Sequence, residues 1–381
     1  MKINIEGYVS PGFEKVKAAF AANWDGYEVG ASCAVVHRGR MVVDLWGGYR
    51  SGDLKKPWEK DTLVNVYSTT KGMAALTIAI LVEEGKLEYE TRVADYWPEF
   101  GANGKEHVTV AQVLSHQAGI CGVSEKITIA DLYDWAKMVR LLAAQKPFWE
   151  PGTKAGYHAV TWGYPAGELV RRVTGKTLGS VFREKVAKPL GADFYIGLPD
   201  SEMHRAADLV GPNHARVPQI QNPDARVPPL YAAALLNPSI RPFKDASSTA
   251  WRKAEIPAAN GQANARAIAR IYGALANCGE IDGIRIISRE GIEHAVCEEA
   301  STNEDPVTGS PMRFARGFML NTEGGYGPNP NAFGHGGAGG SIGFADPEAN
   351  IAVGYAMNQM QVNPDDEPRA GLLVKAVYGC L

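Results

Sequence analysis

The stretch VYSTTKGMAALTIAILVEEGKL, residues 66–87, has a serine and a lysine three positions apart at the start of an almost continuously apolar run. A run without a polar stripe predicts a helix buried on every side, from Ser68 to Glu84, and Gly85 follows where a positive φ favours glycine. Since positions i and i+3 share a helix face, Ser68 and Lys71 are expected within hydrogen-bond reach. A buried amine has a lowered pKa, so Lys71 is a candidate base that takes the proton of Ser68.

A purely structural role for these residues is the alternative. Serine is a common N-cap residue, and the S-x-x-K pattern arises by chance in long chains. However, Ser68-Thr69-Thr70-Lys71 is the one such match in this sequence, and it opens the most apolar predicted helix. We therefore treat Ser68 as a candidate nucleophile.

Strands are predicted on both sides of this helix along the chain. Residues 29–49 read as two strands joined by a turn at His37-Arg38-Gly39-Arg40, and three strand-like runs follow near the C-terminus, at 313–320, 339–346 and 350–358. Helical periodicity dominates from 91 to about 205, and a proline-rich, irregular segment covers 208–245. The sequence predicts an α+β fold with one antiparallel sheet assembled from both ends of the chain and flanked by helices.

We expect two domains from this distribution. Residues 1–90 and 255–381 are predicted to form an α/β domain that contains the sheet. Residues 91–254 are predicted to form a mainly helical domain that includes the irregular proline-rich segment, a type of segment that often shapes a pocket. The helix that starts at Ser68 is then expected to begin at the seam between them.

Composition excludes several classes of protein. The 381 residues carry a net charge of −3, so neither nucleic acid nor an anionic membrane surface is an expected partner. Five widely spaced cysteines form no CxxC pair and are expected to be reduced and mostly buried; no HExxH pattern or Asp/His cluster suggests a metal. No apolar run has the length of a signal peptide or membrane span. We predict a cytoplasmic protein that acts on a small molecule.

A second candidate site is the segment WEPGTKAGYHAVTWGY, residues 149–164. Tyr157 lies there in a loop preceded by glycine, and a phenol beside a lysine can share its proton and act as general acid and base. The alternative is a packing aromatic. His116 and His158 are expected to be hydrogen-bonded structural residues.

The third candidate is FGHGGAGGSIGFADP, residues 333–347, whose glycines indicate close approach of another strand or of a substrate carbonyl to the backbone. A glycine-rich turn without a ligand is the alternative. The match to G-x-G-x-x-G at 334–339 is rejected because it precedes a strand. The match to G-x-S-x-G around Ser341 ranks well below Ser68 as a candidate nucleophile, because no histidine follows it in the chain.

Together these stretches resemble the serine β-lactamase and penicillin-binding-protein superfamily, most closely class C-like β-lactamases and family VIII carboxylesterases. The resemblance covers essentially the whole chain and rests on Ser68-x-x-Lys71, VLSHQAGI at 113–120, PGTKAGY ending at Tyr157, and GHGGAGG at 334–340. It implies a β-lactamase/transpeptidase-like fold without a cofactor. It also implies that Ser68 is acylated, that Lys71 is its base partner and that Tyr157 relays protons.

The resemblance further implies a binding site at the third stretch. His335-Gly336-Gly337 stands where the lactamases carry Lys-Thr-Gly, and the backbone N–H groups of Ser68 and Ala338 then form the oxyanion hole.

Two departures from the lactamase pattern bear on the substrate. The motif Tyr-x-Asn is Tyr157-His158-Ala159 here, and His335 replaces a lysine that would help to hold an antibiotic carboxylate. An ester needs neither group.

We therefore predict a serine carboxylesterase for small to medium acyl esters that works through an acyl-Ser68 intermediate. The alternatives are a β-lactamase, a D-amino-acid peptidase or an acyltransferase of the same fold. An alternative of another class is a binding or sensor protein that is acylated without turnover.

Overall fold

The computed structural model describes residues 3–26, 28–212, 227–361 and 369–381. Residues 213–226 of the predicted proline-rich segment, with Pro218 and Pro223 among them, lie outside these ranges.

Helices occupy much of the described chain and are numbered here in chain order. They are α1 Glu14–Ala22, α2 Thr69–Glu83, α3 Val93–Tyr96, α4 Val110–Leu114, α5 Trp135–Ala144, α6 Gly163–Thr174, α7 Leu178–Phe182, α8 Pro229–Leu235, α9 Pro242–Asp245, α10 Thr249–Lys253, α11 Ala265–Ala276, α12 Arg289–Ala295 and α13 Arg369–Tyr378.

The strands are numbered in the same way. They are β1 Ile5–Val9, β2 Gly30–His37, β3 Arg40–Gly48, β4 Val64–Asn65, β5 Phe194–Tyr195, β6 Gln262–Ala263, β7 Glu280–Ile281, β8 Ile284–Arg285, β9 Glu298–Thr302, β10 Met312–Ala315, β11 Met319–Leu320, β12 Phe333–Gly336, β13 Ile342–Asp346 and β14 Ile351–Met357.

The main sheet joins the two ends of the chain. Within the described residues it has nine antiparallel strands in the order β1-β3-β2-β14-β13-β12-β11-β10-β9. Its central pair aligns Val35 of β2 with Val353 of β14. The predicted α+β class and the antiparallel sheet built from both ends of the chain are confirmed.

The hairpin of β2 and β3 forms as its sequence predicts. Arg38 and Gly39 both adopt positive φ, 50° and 70°, as a two-residue turn that matches the twist of the strands requires. The side chains of β2 are buried on both faces of the sheet, which explains the continuous apolar run of that strand.

Several features of the sheet differ from the prediction. One is β12, which lies in the glycine-rich stretch 333–347 where a strand was expected only after the glycines. The run 313–320 was expected to be one strand, but it folds back on itself as β10 and β11, with Gly317 at φ 109° between them. The edge strands β1 and β9 were not expected, because most of their side chains are not buried and they lack a strong alternating pattern.

Helices cover both faces of the sheet. On one face α1 and α13 pack through Phe20, Leu373 and Val377. On the other face α11 packs against β2, β13 and β14, and α2 packs against β12 and β13 and touches α11. Gly72 of α2 permits this contact, since a Cβ there would lie 2.0 Å from the hydroxyl oxygen of Tyr272 on α11.

Helix α2 is the buried helix that the sequence predicts. Every residue from Thr69 to Leu81 is buried, and Gly85 follows the helix with φ 68°. Its surroundings come from all parts of the chain, because the largest apolar cluster includes residues of α5, α6 and α7 as well as α11. The division into the domains 1–90 with 255–381 and 91–254 stays a prediction.

The cysteines differ in part from their prediction. All five are free, but only Cys33 and Cys121 are buried, while Cys297 is exposed. Among the described helices, none combines the length and apolarity needed to cross a bilayer.

Candidate active site

Ser68 lies at the first turn of α2 with its hydroxyl directed away from a capping role. It is the N-cap residue, yet its side chain accepts no hydrogen bond from the backbone of the first turn. Its Oγ lies 3.2 Å from Nζ of Lys71 instead. The structural reading of Ser68 as a capping side chain therefore does not hold.

Lys71 is fully buried and has four oxygen atoms around its amine. Nζ lies 2.7 Å from the carbonyl oxygen of Ala159 and 3.0 Å from that of Ala258. It also lies 3.1 Å from the hydroxyl of Tyr157. Complete burial lowers the pKa of Lys71 well below its ordinary value, because desolvation penalises the ammonium form. A neutral amine donates its two N–H groups to the carbonyls, so its lone pair faces the two hydroxyls.

The structure brings Tyr157 to the same point from the helical part of the chain. Burial raises the pKa of Tyr157 above its ordinary value, the hydrogen bond with Ser68 opposes this shift, and the charge of Asp305 adds to it. The phenol is therefore protonated at neutral pH. Ser68, Lys71 and Tyr157, the three predicted catalytic residues, lie in mutual contact.

His116 and His158 hold the backbone around Tyr157. The N–H of His158 donates to Nδ1 of His116 over 2.9 Å, and the N–H of Gly156 donates to the carbonyl oxygen of His116 over 3.0 Å. Nε2 of His158 accepts from the N–H of Ile120. Burial lowers the pKa of His158 to about 4. Both rings have the structural roles expected of them.

The end of β12 approaches the backbone that precedes Ser68. A Cβ on Gly337 would lie 2.2 Å from the carbonyl oxygen of Val66, so only glycine allows this approach. Ser341 stabilises the same contact, because its hydroxyl donates a hydrogen bond of 2.8 Å to the carbonyl oxygen of Val66. Among the described residues the N–H groups of Ser68 and Ala338 donate to no acceptor, as a pair of oxyanion donors requires.

His335 is a neutral ring at the edge of the site. Its Nδ1–H donates to the carbonyl oxygen of Gly336 over 2.6 Å, which makes Nε2 an acceptor. This Nε2 has no partner among the described residues. Burial and the neighbouring Lys71 lower the pKa of His335 to about 3. A substrate carboxylate at this position would face the lone pair of His335 Nε2, where the resembling lactamases have a positively charged lysine.

A cavity of about 710 Å³ opens above these groups. Ser68, Tyr157, His335 and Ala338 line it together with Gly336. No Lys, Arg, Asp or Glu of the described chain lines the cavity. Most of its lining is apolar or aromatic. These lining residues include Tyr67, Val160, Tyr231, Leu235, Leu236, Ile240, Pro242, Trp251, Met312, Met319 and Tyr326.

Two contributions to the site were not found in the sequence: the strained backbone of Tyr67, and the cavity wall formed by α8 and the turn after it. Tyr67 directly precedes Ser68 with a positive φ of 43°, which is strained for a tyrosine and is typical of functional sites. Its hydroxyl donates to the carbonyl oxygen of Pro242, next to the cavity wall formed by α8 and the turn after it. The sequence signal for this wall was the irregular proline-rich segment 208–245, a type of segment that often shapes a pocket.

Comparison with known proteins identifies the family of the chain. The family model described as Beta-lactamase matches residues 16–378. The chain belongs to the beta-lactamase family. Both the resemblance to this family and its fold, predicted from the sequence, are thereby confirmed.

Individual relatives of the family are similar over almost the whole chain. The Mycobacterium tuberculosis protein named Esterase/beta-lactamase LipL is 37% identical, over 93% of this chain and 83% of its own length. A crystal structure of a family VIII carboxylesterase superposes with a TM-score of 0.93 at 53% identity, over 99% of this chain and 100% of its own. A penicillin-binding protein homologue from Caulobacter crescentus gives a TM-score of 0.92 at 42% identity, with the same coverage.

Proposed function

We propose that the protein is a serine carboxylesterase that works through an acyl-Ser68 intermediate. The observation that carries this proposal is the buried amine of Lys71, which lies within 3.2 Å of Ser68 Oγ and within 3.1 Å of the Tyr157 hydroxyl. With both N–H groups donated to carbonyls, the amine presents its lone pair as a base. The class of serine hydrolase agrees with the family and its relatives.

In the proposed reaction Ser68 attacks the ester carbonyl while Lys71 takes its proton. The oxyanion that forms accepts hydrogen bonds from the N–H groups of Ser68 and Ala338. Tyr157, protonated at rest, gives a proton to the departing alcohol and is reprotonated through Lys71. Water then attacks the carbonyl of acyl-Ser68, and the proton transfers run in reverse. The acid is released, and Ser68, Lys71 and Tyr157 return to their starting protonation.

The uncharged cavity favours a neutral ester over a β-lactam. A β-lactam antibiotic brings a carboxylate, whose burial without a partner is costly. Within the described residues no cationic side chain lines the cavity, and His335 offers a lone pair there. The apolar lining stabilises a neutral acyl group by about 0.8 kcal/mol for each CH₂ buried.

A direct comparison of two substrates tests this proposal. We expect a higher kcat/KM for p-nitrophenyl butyrate than for nitrocefin at equal enzyme concentration. Faster cleavage of nitrocefin would contradict the ester assignment and favour the β-lactamase alternative, which the printed name of the Mycobacterium tuberculosis relative includes.

Three further assays separate the remaining alternatives. Stoichiometric labelling of Ser68 without steady turnover indicates an acylated binding or sensor protein. Transfer of the butyryl group to an added alcohol faster than to water indicates an acyltransferase, and release of D-alanine from a peptide indicates a D-amino-acid peptidase.

The pH dependence of the rate should report Lys71. As a base it acts in its neutral form, so kcat/KM is expected to rise with pH through the lowered pKa of Lys71 and to level off above it. Burial lowers the pKa values of His335 and His158 to about 3 and about 4, so both rings are neutral at pH 6 and above. Measuring kcat/KM for p-nitrophenyl butyrate at closely spaced pH values checks this, and a rate that falls on going from pH 6 to pH 8 contradicts it.

A cytoplasmic location and the absence of a nucleic-acid or membrane partner stay predictions. They rest on the net charge of −3 and on the lack of a long apolar run in the sequence.

A further inference from the structure

A buried carboxylate outside the predicted site holds the backbone of Tyr157. Asp305 lies in the loop between β9 and β10 and is 1% exposed. Its Oδ2 accepts a hydrogen bond of 2.8 Å from the N–H of Tyr157, which is 148 positions away in the chain. This bond links the loop from the sheet directly to a residue of the candidate catalytic group.

The other oxygen of this carboxylate orders the loop itself. Oδ1 accepts from the N–H groups of Val307 and Thr308, both over 2.9 Å. The loop is closed by a bond of 2.7 Å from the N–H of Gly309 to the carbonyl oxygen of Asp305. Thr308 lines the cavity. The position of Asp305 is thus fixed independently of Tyr157.

Only hydrogen-bond donors hold the charge of Asp305. Among the described residues it forms no ion pair, and its side chain accepts from three N–H groups and the Thr308 hydroxyl. A buried carboxylate is costly unless its donors are well placed, and charged hydrogen bonds are roughly twice as strong as neutral ones. The contact to Tyr157 is therefore a strong and directional one.

The neighbours of Tyr157 are anchored from the opposite side. Gly156 and His158 donate to His116, and the carbonyl oxygen of Ala159 accepts from Lys71. The N–H of Tyr157 itself is held by Asp305. This bond therefore fixes the residue between its two neighbours.

We propose that Asp305 is a positioning residue that aims the Tyr157 hydroxyl for proton transfer to the leaving alcohol. The proposal rests on the function proposed above, since it requires Tyr157 to be the proton donor. It makes a specific demand on the substrate: Asp305 matters for an ester whose alkoxide cannot leave without a proton. It matters little for an ester that releases the stable p-nitrophenolate anion.

Asp305→Asn removes the contact selectively. An amide has one acceptor oxygen, and the two N–H groups of Val307 and Thr308 compete for it against the single N–H of Tyr157. The oxygen is expected to face the pair. The amide NH₂ then faces the N–H of Tyr157, which loses its acceptor while the loop keeps its own.

The test compares kcat/KM for two esters of one acid, ethyl butyrate and p-nitrophenyl butyrate. A positioned general acid contributes about 10²- to 10⁴-fold. We expect Asp305→Asn to lose at least about 10-fold on ethyl butyrate and no more than about 3-fold on p-nitrophenyl butyrate, a part of that contribution. Equal losses on both esters, or none on either, would overturn the proposal.

Asp346 provides a matched control. It is also a fully buried carboxylate, and its Oδ1 accepts from the N–H groups of Glu348 and Ala349, both over 3.0 Å, in the turn between β13 and β14. It does not line the cavity. Asp346→Asn is expected to change both esters by the same factor.

Two further variants keep the outcomes distinct. If Asp305→Asn does not fold, Asp305→Glu keeps the charge but moves its oxygens by one methylene, and the same fall in the ethyl-to-p-nitrophenyl ratio is expected. Tyr157→Phe by itself should lower the ratio of kcat/KM for ethyl butyrate to kcat/KM for p-nitrophenyl butyrate. In the double variant, Asp305→Asn should lower this ratio no further. A wild-type protein that cleaves neither ester, or a Tyr157→Phe variant that treats both alike, contradicts the proposed function itself.

Discussion

Ser68→Ala is expected to lower kcat/KM for p-nitrophenyl butyrate by about 10⁴-fold or more, to the background of the assay. The change removes the oxygen that forms the acyl bond, and nothing else near Lys71 replaces it. The fold should be unaffected, because the Ser68 hydroxyl caps no helix backbone. Thermal unfolding of the variant should therefore match that of the wild type while its activity is lost.

Ser341→Ala is the control for this result. Ser341 is the other serine in a nucleophile-like motif, but its hydroxyl is bonded to the carbonyl oxygen of Val66 and to Oγ1 of Thr69. Neither atom is a base for a serine hydroxyl. The variant should lose far less activity than Ser68→Ala, no more than about 10-fold from relaxation of the loop, in line with one or two lost hydrogen bonds. Similar losses from both changes would leave Ser68 unsupported as nucleophile.

Lys71→Met should give the second large effect. Methionine fills the buried space without offering a base, so kcat/KM for the same ester should fall by about 10²- to 10⁴-fold, the usual contribution of a general base. The carbonyl oxygens of Ala159 and Ala258 lose their donor, and each unsatisfied buried group costs about 1–3 kcal/mol. The variant should therefore also unfold at a lower temperature.

Lys105 allows the two losses to be separated. It is likewise fully buried, and its Nζ donates to the carbonyl oxygens of Ala102, Ala143 and Gln145 at 2.7, 3.0 and 2.5 Å. It does not line the cavity. Lys105→Met should destabilise the fold comparably and leave kcat/KM of the folded protein near that of the wild type. If both lysine variants lose activity in parallel with stability, Lys71 has only a structural role.

Much of the fold could be predicted because α2 and the central strands have strong local signals. An apolar run as long as α2 has no stable alternative to burial. β14 is apolar throughout, and β2 and β3 are mostly apolar over lengths typical of strands. The edge strands β1 and β9 were missed because their half-exposed side chains depend on a neighbouring strand for order. That neighbour is β3 for β1, and for β9 it is β10, across the loop that contains Asp305; neither pairing is visible from the local pattern.

The candidate site was predictable where residues act through short spacings or lie in a motif of the resembling family. Ser68 and Lys71 are joined by helix geometry, and Tyr157 followed from the family resemblance. Asp305 was not found, because an aspartate before a proline predicts a turn and gives no sign of a contact to residue 157. The strained φ of Tyr67 was also hidden, since tertiary contacts impose it and its sequence neighbours do not.

The pairing of β2 with β14 constrains how the chain is made. A ribosome releases Gly30–His37 early, but the partner Ile351–Met357 emerges only after more than three hundred further peptide bonds. Until then the nascent hairpin of β2 and β3 presents an open apolar edge, the kind of surface that aggregates when unprotected. The central pairing of the sheet therefore forms late, and holdase chaperones are the natural protection for the growing polypeptide.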